Sequence, residues 1–181
     1  NYIQVLQEGD MRILRLNEGQ GMHSVWTPQV ENYHGPWEQV LAAPFFNPAP
    51  YDPSKVKSMA IVGLAGGTLA RQATAVFGPI PIDGFEIDPK IIEVGRKYFD
   101  MNEPNLHVHV DDGRTFMRTT HAQYDVVAID AFQQPYIPFQ LTTKEFFQEA
   151  RDVGGIVLAV AVERGDPRRV RLSHSRGDRG T

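Results

Sequence analysis

The sequence predicts an α/β fold in which a doubly wound parallel sheet follows a small antiparallel sheet. From Met59 onward, short apolar runs alternate with segments of helical spacing, which is typical of parallel strands joined by helices. The run from Tyr124 to Ile129 is almost continuously apolar, as expected of a strand buried on both faces. Residues 2–26 instead alternate apolar and polar side chains between turn signals, which indicates a hairpin and a third short strand.

Composition limits the classes of protein that the chain can belong to. At 181 residues, with 41% hydrophobic and 22% charged side chains, it is long enough for one domain with a buried core and a small appendage. The net charge of -4 argues against a nucleic-acid partner, and the absence of cysteine excludes disulfides and thiolate metal sites. No apolar run reaches the ~18 residues of a membrane-spanning helix, so we expect a soluble, cytoplasmic domain.

The predicted organisation has three parts. Residues 1–46 form a β-hairpin and small-sheet region, and the proline-rich stretch 47–53 separates it from the alternating α/β domain at residues 54–163. Residues 164–181 are rich in Arg and Gly and lack an apolar face, so we expect an irregular or disordered tail. The chain begins abruptly with strand-like residues, which suggests that a segment upstream has been removed.

A glycine-rich turn after the first central strand predicts a nucleoside site. Gly63, Gly66 and Gly67 precede a helix predicted from Thr68, so the backbone can turn sharply and its amides can approach a ligand. Glu86 ends the next strand, where a carboxylate can accept both hydroxyls of a ribose. The pattern departs from the Gly-x-Gly-x-x-Gly dinucleotide fingerprint, which favours a nucleoside with a short tail over NAD. The alternative is a turn that merely connects a strand to a helix.

Three acids follow the carboxyl ends of predicted strands, namely Glu86, Asp112 and Asp130. Parallel strands bring these ends to one edge of the sheet, so we expect the acids to share one cleft. Carboxylates suit a cationic ligand and an amine nucleophile, because an ammonium must lose a proton before it can attack. The alternative is that each acid only caps the helix that follows it.

Several motifs follow one another in order between Tyr2 and Val162. They are Leu-Asn-Glu-Gly, Val-Gly-Leu-Ala-Gly-Gly, Glu-Ile-Asp-Pro, Gly-Arg-Lys-Tyr-Phe, Asp-Asp-Gly-Arg, Tyr-Asp-Val-Val-Ala-Ile-Asp and Leu-Thr-Thr-Lys-Glu-Phe-Phe. Together they resemble the spermidine synthase family of polyamine aminopropyltransferases. The family fold, a small amino-terminal β domain followed by a Rossmann-like domain of the class I methyltransferase type, agrees with the prediction made from the residues.

The resemblance implies roles for the predicted site residues. Glu86 would bind the ribose of the co-substrate, decarboxylated S-adenosylmethionine. Asp112, followed by Gly113, would accept a hydrogen bond from the adenine amino group. Asp130 would be the catalytic acid that takes a proton from the attacking amine, and methylthioadenosine would be released. No metal is expected, because the sulfonium already provides a good leaving group.

Two positions depart from the family pattern. Gly66 stands where the family has an Asp that binds the aminopropyl amine, and Gln133 replaces a second acid near the catalytic one. Losing two carboxylates weakens the binding of a diamine, which argues against ordinary putrescine specificity. The residues from Asp130 to Phe132 and from Tyr136 to Thr143 resemble a divergent spermidine synthase-like branch that is often fused to membrane segments in bacteria.

We therefore predict a transferase of the EC 2.5.1 type that moves an aminopropyl group to a small-molecule amine. Gly66 also motivates an alternative, an S-adenosylmethionine-dependent methyltransferase, because the missing acid no longer repels the carboxylate of S-adenosylmethionine. A third hypothesis is a non-catalytic nucleoside-binding or assembly domain. The exposed hairpin and the missing carboxyl-terminal strands of the family favour a homodimer, and the branch implies a membrane domain in a longer parent chain.

Overall fold

The computed structural model describes residues 2–17, 21–30, 32–46, 52–131, 138–162 and 170–176. Its side chains are described throughout these ranges except at residues 158–162 and 170–176.

The amino-terminal region is an antiparallel sheet of three strands in the order β1-β2-β3. The strands are β1 (Ile3–Glu8), β2 (Met11–Leu16) and β3 (Ser24–Trp26). The turn between β1 and β2 uses Gly9 at φ +60°, a left-handed conformation that glycine adopts readily. One face of this sheet buries Leu14 against Ile91 and Phe99 of the main domain. The predicted small sheet is therefore confirmed, and it packs directly onto the larger one.

The main sheet contains five parallel strands in the order β6-β5-β4-β7-β8. They are β4 (Met59–Val62), β5 (Ile82–Glu86), β6 (Leu106–Val110), β7 (Tyr124–Ile129) and β8 (Gly154–Val162). The chain winds outward in one direction from β4 and in the other from β7, so the order reverses between these two strands. In open parallel sheets, ligands bind beyond the carboxyl ends of the strands at such a reversal.

In the described ranges, five α-helices connect or flank these strands. They are α1 (Pro36–Ala42), α2 (Thr68–Phe77), α3 (Pro89–Tyr98), α4 (Gly113–Thr119) and α5 (Lys144–Val153). Helix α3 begins as predicted, because the Asp88 side chain accepts a hydrogen bond from the Lys90 amide and Pro89 occupies the first helical position. None of the described helices has the length and apolar character needed to cross a bilayer.

Both faces of the main sheet are covered. Met59 and Ile61 point to a core shared with Trp37 of α1 and with α2, whereas Ala60 and Val62 point to a second core that α4 and α5 complete. Burial of a single large apolar side chain stabilises the fold by roughly 1.5–3 kcal/mol, so each strand is held from two sides. This arrangement confirms the predicted doubly wound α/β fold.

The tail differs from the expectation. Residues Val170–Arg176 form a further strand, β9, which pairs antiparallel with β8, so the prediction of an irregular tail is wrong for these residues. Without β9, β8 would be an edge strand whose backbone groups lack partners on one side, and pairing with backbone does not require an apolar face. Residues 47–51 and 163–169 lie outside the described residues, so the predicted domain boundaries stay predictions.

Candidate functional site

A cavity of about 180 Å³ lies at the reversal of strand order, beyond the carboxyl ends of the main strands. Three regions line it: the strand ends with the residues that follow them, the hairpin region, and the short 3₁₀ turn Phe139–Leu141 with the preceding Pro138. The lining side chains and backbone include Leu16, Asn17, His23, Gly63, Ala65, Glu86, Ile87, Asp111, Asp112, Gly113, Asp130, Pro138, Gln140 and Leu141.

The cavity is strongly acidic. Glu86, Asp111, Asp112 and Asp130 all line it, whereas no lysine or arginine does so within the ranges that the structure describes. Burial lowers the pKa of His23, which keeps that imidazole neutral at pH 7 and adds no positive charge. A cationic ligand is therefore favoured over an anionic one.

The acids predicted from the sequence thus meet in one cavity. Glu86, Asp112 and Asp130 end or follow three different strands, and the structure brings them together with Gly63 and Gly113. Their surroundings differ, and these differences bear on the chemistry of each carboxylate.

Glu86 is almost fully buried at the end of β5, with 8% of its surface exposed. Its two carboxylate oxygens accept hydrogen bonds from the backbone amides of Ala65 (3.0 Å) and Asp88 (3.1 Å). Burial raises the pKa of Glu86, and these amide hydrogen bonds oppose the rise. Glu86 therefore ties the glycine turn to the start of α3 while it faces the cavity.

Asp112 is the amino-terminal cap of α4. Its Oδ1 accepts a hydrogen bond from the Thr115 amide at 2.9 Å, so the capping alternative holds for this oxygen. Gly113 follows at the first helical position, where a β-carbon would lie 2.5 Å from a methyl carbon of Val62. The glycine allows the helix to begin close to β4.

Asp130 follows β7 and has a different environment. Its backbone amide donates to the Val62 carbonyl at 2.8 Å, which fixes the main chain beside β4. Within the part of the chain that the structure describes, no hydrogen bond reaches its carboxylate, and burial raises the pKa of Asp130 to about 7. Such a carboxylate is poised between its two protonation states near neutral pH, which suits proton transfer.

Gly63 brings the glycine turn against Asp130. It has φ +87°, its amide donates to the Phe85 carbonyl at 2.9 Å, and a β-carbon there would lie 2.5 Å from the Asp130 carbonyl oxygen. Only glycine satisfies both the left-handed backbone and this close approach.

Gly66 and Gly67 do not line the cavity. The Gly66 amide donates to Ser24 Oγ at 2.7 Å, and a β-carbon on Gly66 would lie 2.9 Å from that side chain and 3.2 Å from the Phe99 ring. Gly67 caps α2 beneath Met101. The space that an Asp side chain would need at position 66 is thus filled by the hairpin region.

Some lining residues could not be found from the sequence. His23 and Asn17 reach the cavity because the small sheet packs onto the main one. Asn17 belongs to the Leu-Asn-Glu-Gly motif, but the motif does not indicate that it contacts the cavity. Gln133 and Tyr136, which belong to the motifs around the predicted catalytic acid, lie outside the described residues. In the same described ranges, no three His, Asp or Glu side chains converge to hold a metal ion.

Comparisons with known proteins agree with this architecture. The family model for the Spermine/spermidine synthase domain matches residues 50–163. A relative from Bifidobacterium longum, named "Probable polyamine aminopropyl transferase", is 36% identical over 163 residues, which are 87% of this chain and 34% of that protein. The chain therefore spans about a third of that relative's length.

Solved structures give the same result. The crystal structure of a probable spermidine synthase from Corynebacterium glutamicum superposes with a TM-score of 0.72 at 25% identity, covering 87% of this chain and 60% of that one. A spermidine synthase in complex with the transition state analogue AdoDATO has a TM-score of 0.58 at 18% identity, covering 87% of this chain and 56% of that one, which supports the fold alone. The chain belongs to the spermine/spermidine synthase family.

Proposed function

We propose that the acidic cavity binds decarboxylated S-adenosylmethionine as a co-substrate and that its aminopropyl group is transferred to a small amine. The observation that carries this proposal is the charge of the cavity: four carboxylates line it and no described cationic side chain does. The co-substrate has a sulfonium and a primary ammonium, and the acceptor is itself an amine. A carboxylate-lined cavity stabilises all three positive groups.

The chemistry requires a base at the acceptor nitrogen. The neutral amine attacks the carbon bonded to the sulfonium, the new C–N bond forms as the C–S bond breaks, and the electron pair of that bond passes to sulfur. Methylthioadenosine leaves as a neutral thioether, and the attacking nitrogen loses one proton. Asp130 would take that proton, since its pKa of about 7 makes its carboxylate a stronger base than an ordinary Asp.

The other predicted residues would hold the nucleoside. The Glu86 carboxylate is oriented by two amides and has further lone pairs for the ribose hydroxyls. The second oxygen of Asp112, which does not take part in the Thr115 cap, would accept from the adenine amino group beside Gly113. Gly63 would let the backbone approach the sulfur end. Gly66 and Gly67 would contribute indirectly, by shaping the turn against Ser24 and Met101.

The methyltransferase alternative is disfavoured by the same charges. S-adenosylmethionine carries a carboxylate in place of a hydrogen, and four acids around the cavity would repel it. The replacement of Asp by Gly66 does not relieve this repulsion, because the Ser24 side chain occupies the space beside Gly66. We therefore favour aminopropyl transfer.

Calorimetric titration with four nucleosides tests the proposal. We expect methylthioadenosine and decarboxylated S-adenosylmethionine to bind more tightly than S-adenosylmethionine and S-adenosylhomocysteine. The reverse order would support methyl transfer, and no binding by any of the four would support a non-catalytic domain. A panel of monoamines and diamines, scored by the release of methylthioadenosine, would then identify the acceptor.

The assembly and the location of the protein also stay predictions. They are a homodimer, a membrane domain in a longer parent chain and a cytoplasmic site of reaction. Sedimentation of the purified chain would test for the homodimer, and the sequence of the full-length parent chain would test for the membrane domain.

A further inference from the structure

One wall of the cavity is the short segment Pro138–Leu141, and an arginine outside the cavity contacts it. Pro138, Gln140 and Leu141 all line the cavity, yet the segment has only a 3₁₀ turn of its own. The Arg114 Nη1 donates to the Gln140 carbonyl at 2.7 Å. Arg114 is the second residue of α4, directly after Asp112 and Gly113.

The guanidinium is itself fixed by a carboxylate on a third element. Arg114 Nε and Nη2 donate to the two oxygens of Glu149 on α5, at 2.7 Å and 3.1 Å. The hydrogen bonds from Arg114 lower the pKa of Glu149, so its carboxylate stays ionised well below neutral pH. The Arg114 and Glu149 side chains are only 20% and 23% exposed, so the ion pair is partly shielded from water.

This geometry needs an arginine. A guanidinium offers donors in a planar fork, so one edge can engage a carboxylate while the remaining nitrogen reaches a carbonyl. A lysine has the same charge but cannot make these three bonds in fixed directions. The Phe146 ring, fully buried, lies 5.8 Å from the guanidinium carbon and limits where it can move.

We propose that Arg114 is a positioning residue, which sets the affinity of the cavity for the nucleoside by fixing Pro138–Leu141 to α4 and α5. This inference rests on the proposed function for the identity of the ligand. Arg114 does not line the cavity and touches no reacting atom. Its effect on the reaction is carried through the Gln140 carbonyl.

The test compares Arg114→Gln, Arg114→Lys and Glu149→Gln with the wild-type chain. The matched control is Lys90→Gln, which removes an ion pair between Lys90 and Glu93 (2.9 Å) whose side chains are 69% and 65% exposed. The first readout is hydrogen exchange of the Leu141 and Thr142 amides, which donate to Pro138 and Phe139 carbonyls at 2.8 Å and 3.0 Å. The second is the Kd for methylthioadenosine, and the third is the KM and kcat of transfer.

We expect Arg114→Gln to speed exchange at Leu141 and Thr142 and to weaken methylthioadenosine binding about tenfold, since hydrogen bonds to charged groups are the stronger ones. KM for the co-substrate should rise, with kcat changed by no more than about threefold, because uniform binding is lost. Arg114→Lys should recover little of this, Glu149→Gln should give a smaller change in the same direction, and Lys90→Gln should leave every readout unchanged.

Unchanged exchange and unchanged affinity in Arg114→Gln would overturn the proposal. A uniform rise in exchange over the whole chain would do the same, since it would indicate a general loss of stability. If the wild-type chain binds none of the nucleosides, the proposed function fails instead. The exchange of Leu141 and Thr142 would then still decide whether Arg114 anchors this wall.

Discussion

Glu86 and Asp130 end or follow the two strands that flank β4, and both carboxylates face the same cavity. Burial raises the pKa of each. Glu86, however, accepts two backbone amides, whereas the Asp130 carboxylate receives no hydrogen bond from the described residues. Two acids at the ends of the strands that flank β4 thus have different environments: backbone amides fix the Glu86 carboxylate in place, whereas no described donor fixes the Asp130 carboxylate. The second environment fits the proton transfer that we propose for Asp130.

The substitution Asp130→Asn breaks this comparison most directly. An amide cannot accept the proton of the attacking amine, so we expect transfer to fall by about 10²–10⁴-fold, the usual contribution of a general base. Methylthioadenosine affinity should stay within about twofold, since the neutral product has no proton to give. Activity assays with calorimetry on the same preparation measure both, and equal loss of both would show that Asp130 is not the base.

The substitution Gly66→Asp asks whether the glycine turn has room for a carboxylate side chain at position 66. The new side chain would collide with Ser24 and Phe99, so we expect the free energy of unfolding to fall by about 3 kcal/mol, as in an overpacked interior. Chemical denaturation measures this loss. Gly9→Asp is the control: nothing lies within 4 Å of a β-carbon at Gly9, so we expect only the smaller cost of a left-handed backbone at φ +60°, about 1 kcal/mol.

Adding Ser24→Gly should recover part of the stability that Gly66→Asp removes, because it empties the space beside position 66. A Gly66→Asp variant as stable as the wild type would contradict the packing described for the glycine turn.

The substitution Glu86→Gln tests the framework role. Both Glu86 oxygens now accept hydrogen bonds from backbone amides, and glutamine would replace one of these oxygens with an NH₂ donor. One backbone N–H would lose its acceptor, so we expect the free energy of unfolding to fall by about 2 kcal/mol. Nucleoside affinity should fall with it. Denaturation and calorimetry measure the two effects, and a variant that loses activity with unchanged stability and affinity would place Glu86 in the chemistry instead.

The pH dependence of stability gives the smallest effect. The folded-state pKa of Asp130, about 7, lies above its ordinary value of 3.8, so the unfolded state ionises at lower pH than the folded state. The free energy of unfolding therefore falls as the pH rises from about 4 to about 7. Asp130→Asn removes that cost. We expect the variant to be more stable than the wild type by about 1–2 kcal/mol at pH 8, a value discounted for partial exposure, with the difference vanishing near pH 4.

Denaturation curves of wild type and Asp130→Asn at the two pH values measure this difference. A gap of the same size at both pH values would show that packing, and not ionisation, distinguishes the amide from the acid.

The parts of the molecule that follow local patterns were predictable from the sequence. The alternating apolar runs predicted the strands β4 to β8. The acids at the carboxyl ends of these strands predicted the position of the cavity, because a parallel sheet brings those ends to one edge. The contacts of His23 and Arg114 were not predictable, since they depend on how separate elements pack. The strand β9 was missed because its pairing uses backbone groups, which composition does not report.

The contact between Gly63 and the Asp130 carbonyl has a consequence for evolvability. A side chain at position 63 would push the main chain at residue 130, so the glycine that we propose admits the nucleoside cannot vary without displacing the proposed proton acceptor. We therefore expect variants with altered substrate preference to carry their changes elsewhere around the cavity. The hairpin region and the Pro138–Leu141 wall can diverge without disturbing that contact, and they are the places to randomise in a directed-evolution library.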